Sequence, residues 1–255
     1  MKAKSIFGRS VQEVEEKLNE EFNTNINPTL AIVFMSNKDE VDSVSEILDK
    51  KNISVFGVTA NREFTDEEID SDLITLLLLD INASYFSIAY ETYKNGEADK
   101  AANEVASKGL ELFSSPAFIV SSSHVNSPID DILLGIKSVA GNDAIISGGI
   151  SSDDDLVNGG LVFTNNMKGS NAVLSLIIDT DKIGLTGYAV SGWKPMGISK
   201  KITRSERNRV FTIDNEPALD VLIRYTGLEV DMEDISDVFT QIGTAYPFQV
   251  QKEKG

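Results

Sequence analysis

The sequence predicts an α/β fold: a mixed β-sheet, or two packed sheets, flanked by helices and built on an internally duplicated βαβαβ-type unit. Three observations predict it. Short apolar runs of strand length alternate with amphipathic stretches of helical period. The order of landmarks in the first part of the chain recurs in the next. After about residue 180, hairpin-like segments replace the alternation. Strands that alternate with helices pair in parallel through right-handed crossovers. Hairpin-like strands add an antiparallel portion.

The elements follow in order. Ser10-x-x-Glu13 reads as a capping box, and Val11, Val14, Leu18 and Phe22 then share one helical face. Leu30 to Met35 reads as a strand. A second helix carries Val41, Val44, Ile47 and Leu48 on one side, and Ile53 to Val58 is again strand-like. An acidic loop, Glu63 to Asp72, leads into the apolar strand Leu73 to Leu79.

The pattern then restarts. Tyr85 to Tyr90 reads as a strand and Ala98 to Phe113 as a helix. Ala117 to Ser122 is a strand, and Ser127-Pro128 opens a helix with serine at the cap and proline in the first turn. Ala144 to Ile150, Leu161 to Phe163 and Ala172 to Ile178 complete the strands. Further strands are expected over Ile183 to Val190, Gly197 to Thr203 and Arg209 to Ile213, with a helix opened by Pro217.

Five landmarks occur twice in the same order: an amphipathic helix, a strand-ending serine (Ser36, Ser122), a glycine inside the next strand (Gly57, Gly148), an acidic loop and an apolar strand. This pattern marks an internal repeat over about 1–80 and 83–180.

Composition narrows the function classes. The chain has 255 residues, no cysteine, one histidine and a net charge of −17. Without cysteine there is no disulfide framework, no thiolate nucleophile and no thiolate-ligated zinc. The negative charge opposes nucleic acid and anionic membrane surfaces, whose binding depends on neutralising phosphates. No apolar run reaches the length of a membrane helix. The expected location is the cytoplasm, and no cofactor is called for.

Three stretches carry polar chemistry. His124, the one histidine, lies just past a predicted strand within Ser121-Ser122-Ser123-His124-Val125-Asn126. A Gly-x-Ser-x-Gly elbow is missing, and sequence neighbours do not define a triad. Gly148-Gly149-Ile150-Ser151-Ser152-Asp153-Asp154-Asp155 combines close backbone approach with hydroxyls and acids, but it is neither a phosphate loop nor an EF-hand. Gly192-Trp193-Lys194-Pro195-Met196-Gly197 holds the one tryptophan, expected to be a buried packing anchor.

The sequence resembles FIST proteins, the F-box and intracellular signal transduction family, in their N-terminal domain. The resemblance rests on Gly148-Gly149 with Asp153-Asp154, on Gly192 to Gly197, on Thr203-Arg204-Ser205 with Asn208 and Val210, and on Asp214 followed by Pro217-Ala218-Leu219 and Tyr225. It implies a sensory module, of a kind often joined to kinases or receptor-type outputs and proposed to bind small molecules such as amino acids. By this resemblance 1–228 forms the sensory domain. Residues 229–255 form a linker or the start of a truncated C-terminal FIST domain, which Tyr246-Pro247-Phe248 resembles.

Ligands in open α/β sheets favour the crevice beyond the carboxyl ends of parallel strands. The residues expected there are Ser36, Asn61, Ser121, Ser122, His124, Asn126, Gly148, Gly149, Ser151 and Asp153. The expected function is a cytoplasmic sensor without catalysis, binding an amino acid-like ligand and signalling to a kinase or receptor component. Two rivals remain: a serine-type hydrolase using Ser122 or Ser151 with His124, and a protein-interaction module without a small ligand.

Overall fold

The computed structural model describes residues 1–24, 26–66, 68–94, 96–123, 129–152, 159–188, 192–195, 197–206, 209–227 and 246–247. The chain divides into two compact units, Met1–Gly187 and Tyr188–Gly255.

The first unit begins with β1 (Lys2–Gly8), α1 (Val11–Phe22), β2 (Leu30–Met35), α2 (Val41–Lys50) and β3 (Ser54–Thr59). A ribbon of β4 (Glu63–Phe64) and β5 (Ile69–Asp70) leads to β6 (Ile74–Asp80). The second half runs β7 (Phe86–Thr92), α3 (Ala98–Leu112), β8 (Pro116–Ser123), α4 (Ile129–Ala140) and β9 (Ile146–Ser151). A short hairpin, β10 (Val162–Phe163) and β11 (Lys168–Gly169), precedes β12 (Ala172–Asp179).

Two sheets result, ordered β1-β6-β2-β3-β10-β11 and β7-β12-β8-β9. Alternation along each strand sends one side chain set outward and the next inward. Ala31, Val33 and Met35 pack against Val14 and Leu18 of α1 and Val44 and Leu48 of α2. Phe118, Val120, Val173 and Ile177 pack against Ala102 and Val105 of α3 and Ile132 and Ile136 of α4. Between the sheets lie Leu30, Phe56, Val58, Phe86, Leu174, Leu176 and Ile178. The unit is therefore four layers deep, helix–sheet–sheet–helix, with both sheets buried on both faces over most of their area. The reading of two packed sheets flanked by helices holds.

The duplication is visible strand by strand. Each half contributes four strands in the same spatial order: first, last, second, third. Directions match as well, with β2 parallel to β3 and β8 parallel to β9, and every other pair within a half antiparallel. Even the register matches. Val33 faces Gly57 and Leu76, while Val120 faces Gly148 and Ser175. This register moves one expected landmark: the counterpart of Ser36 is Ser123 rather than Ser122. From Glu63 to Asp80 and from Val162 to Asp179 the halves align without a gap, and both carry Phe-Thr at the ribbon tip. Thr65 N donates to Glu68 O at 2.8 Å, and Thr164 N donates to Met167 O at 2.7 Å.

The helices start as their sequences dictate. Ser10 Oγ accepts from Glu13 N at 3.3 Å, but the Glu13 carboxylate reaches Arg9 N, at 2.8 Å, one residue earlier than a capping box would place it. Asn52, at φ 56, ends the turn after α2 in the left-handed region that asparagine tolerates. The cap expected at Ser127-Pro128 lies outside the described residues.

Four expectations are corrected. Lys2–Gly8, for which the sequence suggested no element, is an edge strand paired with β6 along its whole length. The stretch Glu63 to Asp72, read as a solvated loop, contains the β4–β5 ribbon. The strands expected over Ile183 to Val190 and Gly197 to Thr203 are absent among the described residues, and the first strand after β12 is β13 (Ile202–Glu206). Trp193, expected to be buried, is 51% exposed.

The second unit is a three-stranded antiparallel sheet of β13, β14 (Arg209–Ile213) and β15 (Glu216–Pro217), followed by α5 (Ala218–Thr226). Its small core joins Ile213, Ala218 and Val221. Asp214 sits at a left-handed turn, φ 49, and its carboxylate accepts from Lys200 Nζ at 2.7 Å. That hydrogen bond, together with one from the Lys201 amide, holds the Asp214 carboxyl below its usual range. The stretch 229–237 lies outside the described residues.

Candidate functional site

The topology brings the expected strand ends together. β2 and β3 run parallel, as do β8 and β9, so each pair ends on one edge of its sheet. The two edges meet. Ser152 N, just past β9, donates to Thr59 O at the end of β3, at 3.1 Å. Asn61 N donates to Ser152 Oγ at 3.2 Å. A third segment, Gly159 to Leu161, closes the seam. Thr59 N donates to Leu161 O at 2.9 Å, and Leu161 N donates to Thr59 Oγ1 at 2.7 Å. Lys38, from the turn after β2, reaches across to donate to Gly159 O at 2.7 Å. Gly160 fits only because it lacks a side chain, since a Cβ there would lie 2.6 Å from Ser151 Oγ and 2.8 Å from Thr59 Oγ1.

Hydroxyl groups dominate the buried surface of this seam. Ser121, Ser123 and Ser151 are at most 3% exposed, and their Oγ atoms have no hydrogen-bond partner among the described residues. Ser123 and Ser151 are register partners across β8 and β9, so they lie side by side on one face of the sheet. That face is the inter-sheet one, because Ile119 on the same side of β8 joins the inter-sheet core. An unmade hydrogen bond at a buried hydroxyl costs about 1–3 kcal/mol, and native proteins leave few of them.

The remaining expected residues are placed as follows. Ser122 faces the opposite way, toward α3, where its hydroxyl donates to Ala172 O at 2.9 Å and lies 3.2 Å from Tyr93 Oη. Ser36 is half-buried at the end of β2, and Asn61 is half-buried beside Ser152. Gly148 and Gly149 are exposed along β9. His124, Asn126 and Asp153 lie outside the described residues.

Thr59, which the crossover rule places with Asn61 at a strand end, is the hub of the seam. One feature escaped the sequence reading. Glu63 is 1% exposed, and neither carboxylate oxygen has a hydrogen-bond partner. Burial pushes this carboxyl up to about 7, with Asp72 and Asp70 adding to the shift and the backbone amides of Leu73 and Glu63 itself opposing it. In sequence it is one acid among many. Among the described residues, no group of three or more acids, histidines and cysteines is placed to hold a metal ion.

A surface groove lies elsewhere. About 600 Å³ opens between α2, β7 and the β10–β11 turn, lined by Asp42, Ser45, Tyr90, Asn165 and Lys168 among others. Two of its carboxylates are already paired within the chain, with Lys168 Nζ 2.7 Å from Asp42 and Lys50 Nζ 2.7 Å from Glu46. Its Ser45 hydroxyl donates to Thr164 O at 3.2 Å. The seam, with its unmet hydroxyls, is the stronger candidate.

No helix of the described residues is long and apolar enough to cross a membrane. No curated protein matches the chain significantly in sequence. The family model of the FIST N domain matches residues 29–216. That span takes in the seam, most of both repeats and the sheet of the second unit, and on this ground the chain belongs to the FIST family, whose domain serves sensing in signal transduction.

Proposed function

We propose that this chain is a cytoplasmic sensor that binds a small polar ligand, amino acid-like in chemistry, at the seam where the two repeats meet. One observation carries the reading: among the described residues, three buried serine hydroxyls, Ser121, Ser123 and Ser151, have no partner where the parallel strands end. Hydroxyls with free donor and acceptor capacity suit a carboxylate or a neutral polar group equally. Because Thr59 comes from one repeat and Ser151 from the other, a ligand there touches both halves. Occupancy is thereby coupled to how the halves sit together, and a kinase or receptor component would read that change. The reading is non-catalytic. Ser122, the hydrolase candidate closer to His124 in sequence, is hydrogen-bonded into the helix-side core and faces away from the seam.

The test is a thermal-shift screen of amino acids and common metabolites. A ligand that binds only the native state stabilises it by roughly 2.7 kcal/mol at a hundredfold excess over its Kd. The expected result is an upward shift that Ser151→Ala and Ser123→Ala abolish and that a variant in the α2 groove, Ser45→Ala, leaves intact. A shift that survives both seam variants refutes the site.

A further inference from the structure

The two repeats treat their hairpins differently. In the second repeat, β10–β11 leaves its own sheet and adds to the open edge of β3 in the first. Val162 pairs with Val58 and Phe163 with Gly57, antiparallel. The equivalent hairpin of the first repeat, β4–β5, pairs only with itself. The equivalent edge, on β9, is unpaired among the described residues. By the shared register, the place on β9 that matches Gly57 and Val58 is Gly148 and Gly149, and both are exposed. The residues that would fill it are Glu63 and Phe64. Phe163 is fully buried, whereas its counterpart Phe64 is 76% exposed, beside its register partner Ile69 at 68%.

The asymmetry has a cause in the chain. Residues 153–160 separate Ser152 from Leu161 in the second repeat, but Arg62 follows Asn61 directly in the first. The first ribbon is also held where it is. The Arg9 guanidinium, at the start of α1, pairs with Glu68 and with Asp70, the latter at 2.7 Å. The β9 edge of the second repeat thus lacks the ribbon that covers β3 in the first.

We propose that two copies of this chain associate by placing the β4–β5 ribbon of each on the β9 edge of the other. The occupant is a second copy because the chain already contains the template: a ribbon of the same Phe-Thr tip sequence, seated antiparallel on the equivalent strand. An unpaired edge strand is a ready surface for such addition, and adjacent exposed Phe64 and Ile69 supply the apolar contact that Phe163 supplies within the chain. Each copy carries one ribbon and one edge, so the exchange is reciprocal and closes as a two-fold dimer. The inference is independent of the ligand site.

Sedimentation and cross-linking test it. The wild-type chain is expected to form a concentration-dependent dimer. Phe64→Asp, an exposed position, is expected to weaken that dimer roughly tenfold or more while leaving the melting temperature unchanged at dilutions where the wild type is monomeric. Leu161 faces Thr59 within the chain, so Arg62 of one copy would face Ile150 of the other. The chain has no cysteine, so Arg62→Cys and Ile150→Cys made in separate copies and mixed under mild oxidation should cross-link to each other. A chain that stays monomeric at its highest soluble concentration overturns the proposal. So does a dimer that survives Phe64→Asp, or one in which the mixed cysteine variants form no cross-link. A doubly substituted Arg62→Cys, Ile150→Cys chain that closes only within one copy also overturns it, because the edge is then filled from inside.

Discussion

The ring of Phe163 lies directly over Gly57, so near that a Cβ on the glycine would stand 2.1 Å from the phenyl Cε2. The two residues belong to different repeats and are register partners across β3 and β10. Gly57→Ala therefore forces the ring out of a packed core and is expected to cost about 1–3 kcal/mol. Phe163→Ala, which empties the same space, is expected to cost about 3–5 kcal/mol. Urea denaturation measures both. In the pair Gly57→Ala with Phe163→Leu, the losses should be less than additive, because the smaller side chain makes room for the new methyl.

Glu63 sets a pH dependence of definite sign. Its folded-state carboxyl is raised to about 7 by burial, whereas in the unfolded chain it titrates near the ordinary value of about 4.3. Between those values the native state holds the proton that the unfolded state has lost, so this group's contribution to stability falls as pH rises from about 4 to 7 and is flat beyond. The expected difference between Glu63→Gln and wild type is near zero at the acid end and grows to at most about 4 kcal/mol in favour of the variant above pH 7. Denaturation of both proteins across pH gives the difference directly, and equal slopes would show that Glu63 is solvated.

Two buried serines on the helix side of the second sheet should behave oppositely. Ser175 is fully buried with an unpartnered hydroxyl, and its counterpart in the first repeat is Leu76. Ser175→Ala is expected to stabilise the chain by about 1 kcal/mol, the desolvation cost it removes. Ser122→Ala removes this hydroxyl's bonds to the Ala172 carbonyl and the Tyr93 hydroxyl and is expected to destabilise by about 1–3 kcal/mol. Chemical denaturation at one pH distinguishes them by sign.

Trp193, half exposed in the second unit, should contribute little to stability. Trp193→Ala is expected to shift unfolding by no more than about 0.5 kcal/mol. As the one tryptophan, it also gives an unmixed fluorescence signal, with native emission expected to be long in wavelength and strongly quenched by iodide.

Much of the fold was legible because its signals are local. Leu30–Met35 and Val162–Phe163 are apolar runs of strand length, and α1 and α3 carry apolar residues at helical spacing. The repeat was legible as an order of landmarks. Its sharper form, the ungapped match of Glu63–Asp80 to Val162–Asp179, was present in the sequence but hidden by chemistry: acids occupy Glu63, Glu68 and Asp70 where Val162, Met167 and Gly169 stand. Trp193 was misread because aromatic size favours burial in general, while this position is half exposed and joins no core cluster among the described residues. The strand edges at Ser121, Ser151 and Asn61 follow from crossover rules. Which way Ser122 points depends on one-residue alternation, and the meeting of Thr59 with Ser152 depends on how two sheets stack, which no local pattern encodes.

The seating of β10–β11 in the first sheet also fixes the order in which the chain can mature. A nascent chain that has emerged only through Asp80 has every strand of its own repeat, but β3 lacks its neighbour and Gly57 faces a void. Phe163, which completes the core formed by Val33, Val55 and Leu76, arrives only after nearly the whole second repeat has been synthesised. Domains usually fold as units behind the ribosome, N-terminal first. Here the early half must wait for the late one, so the two repeats reach the native state as a single cooperative body, and a release of the first alone would expose an apolar groove to aggregation.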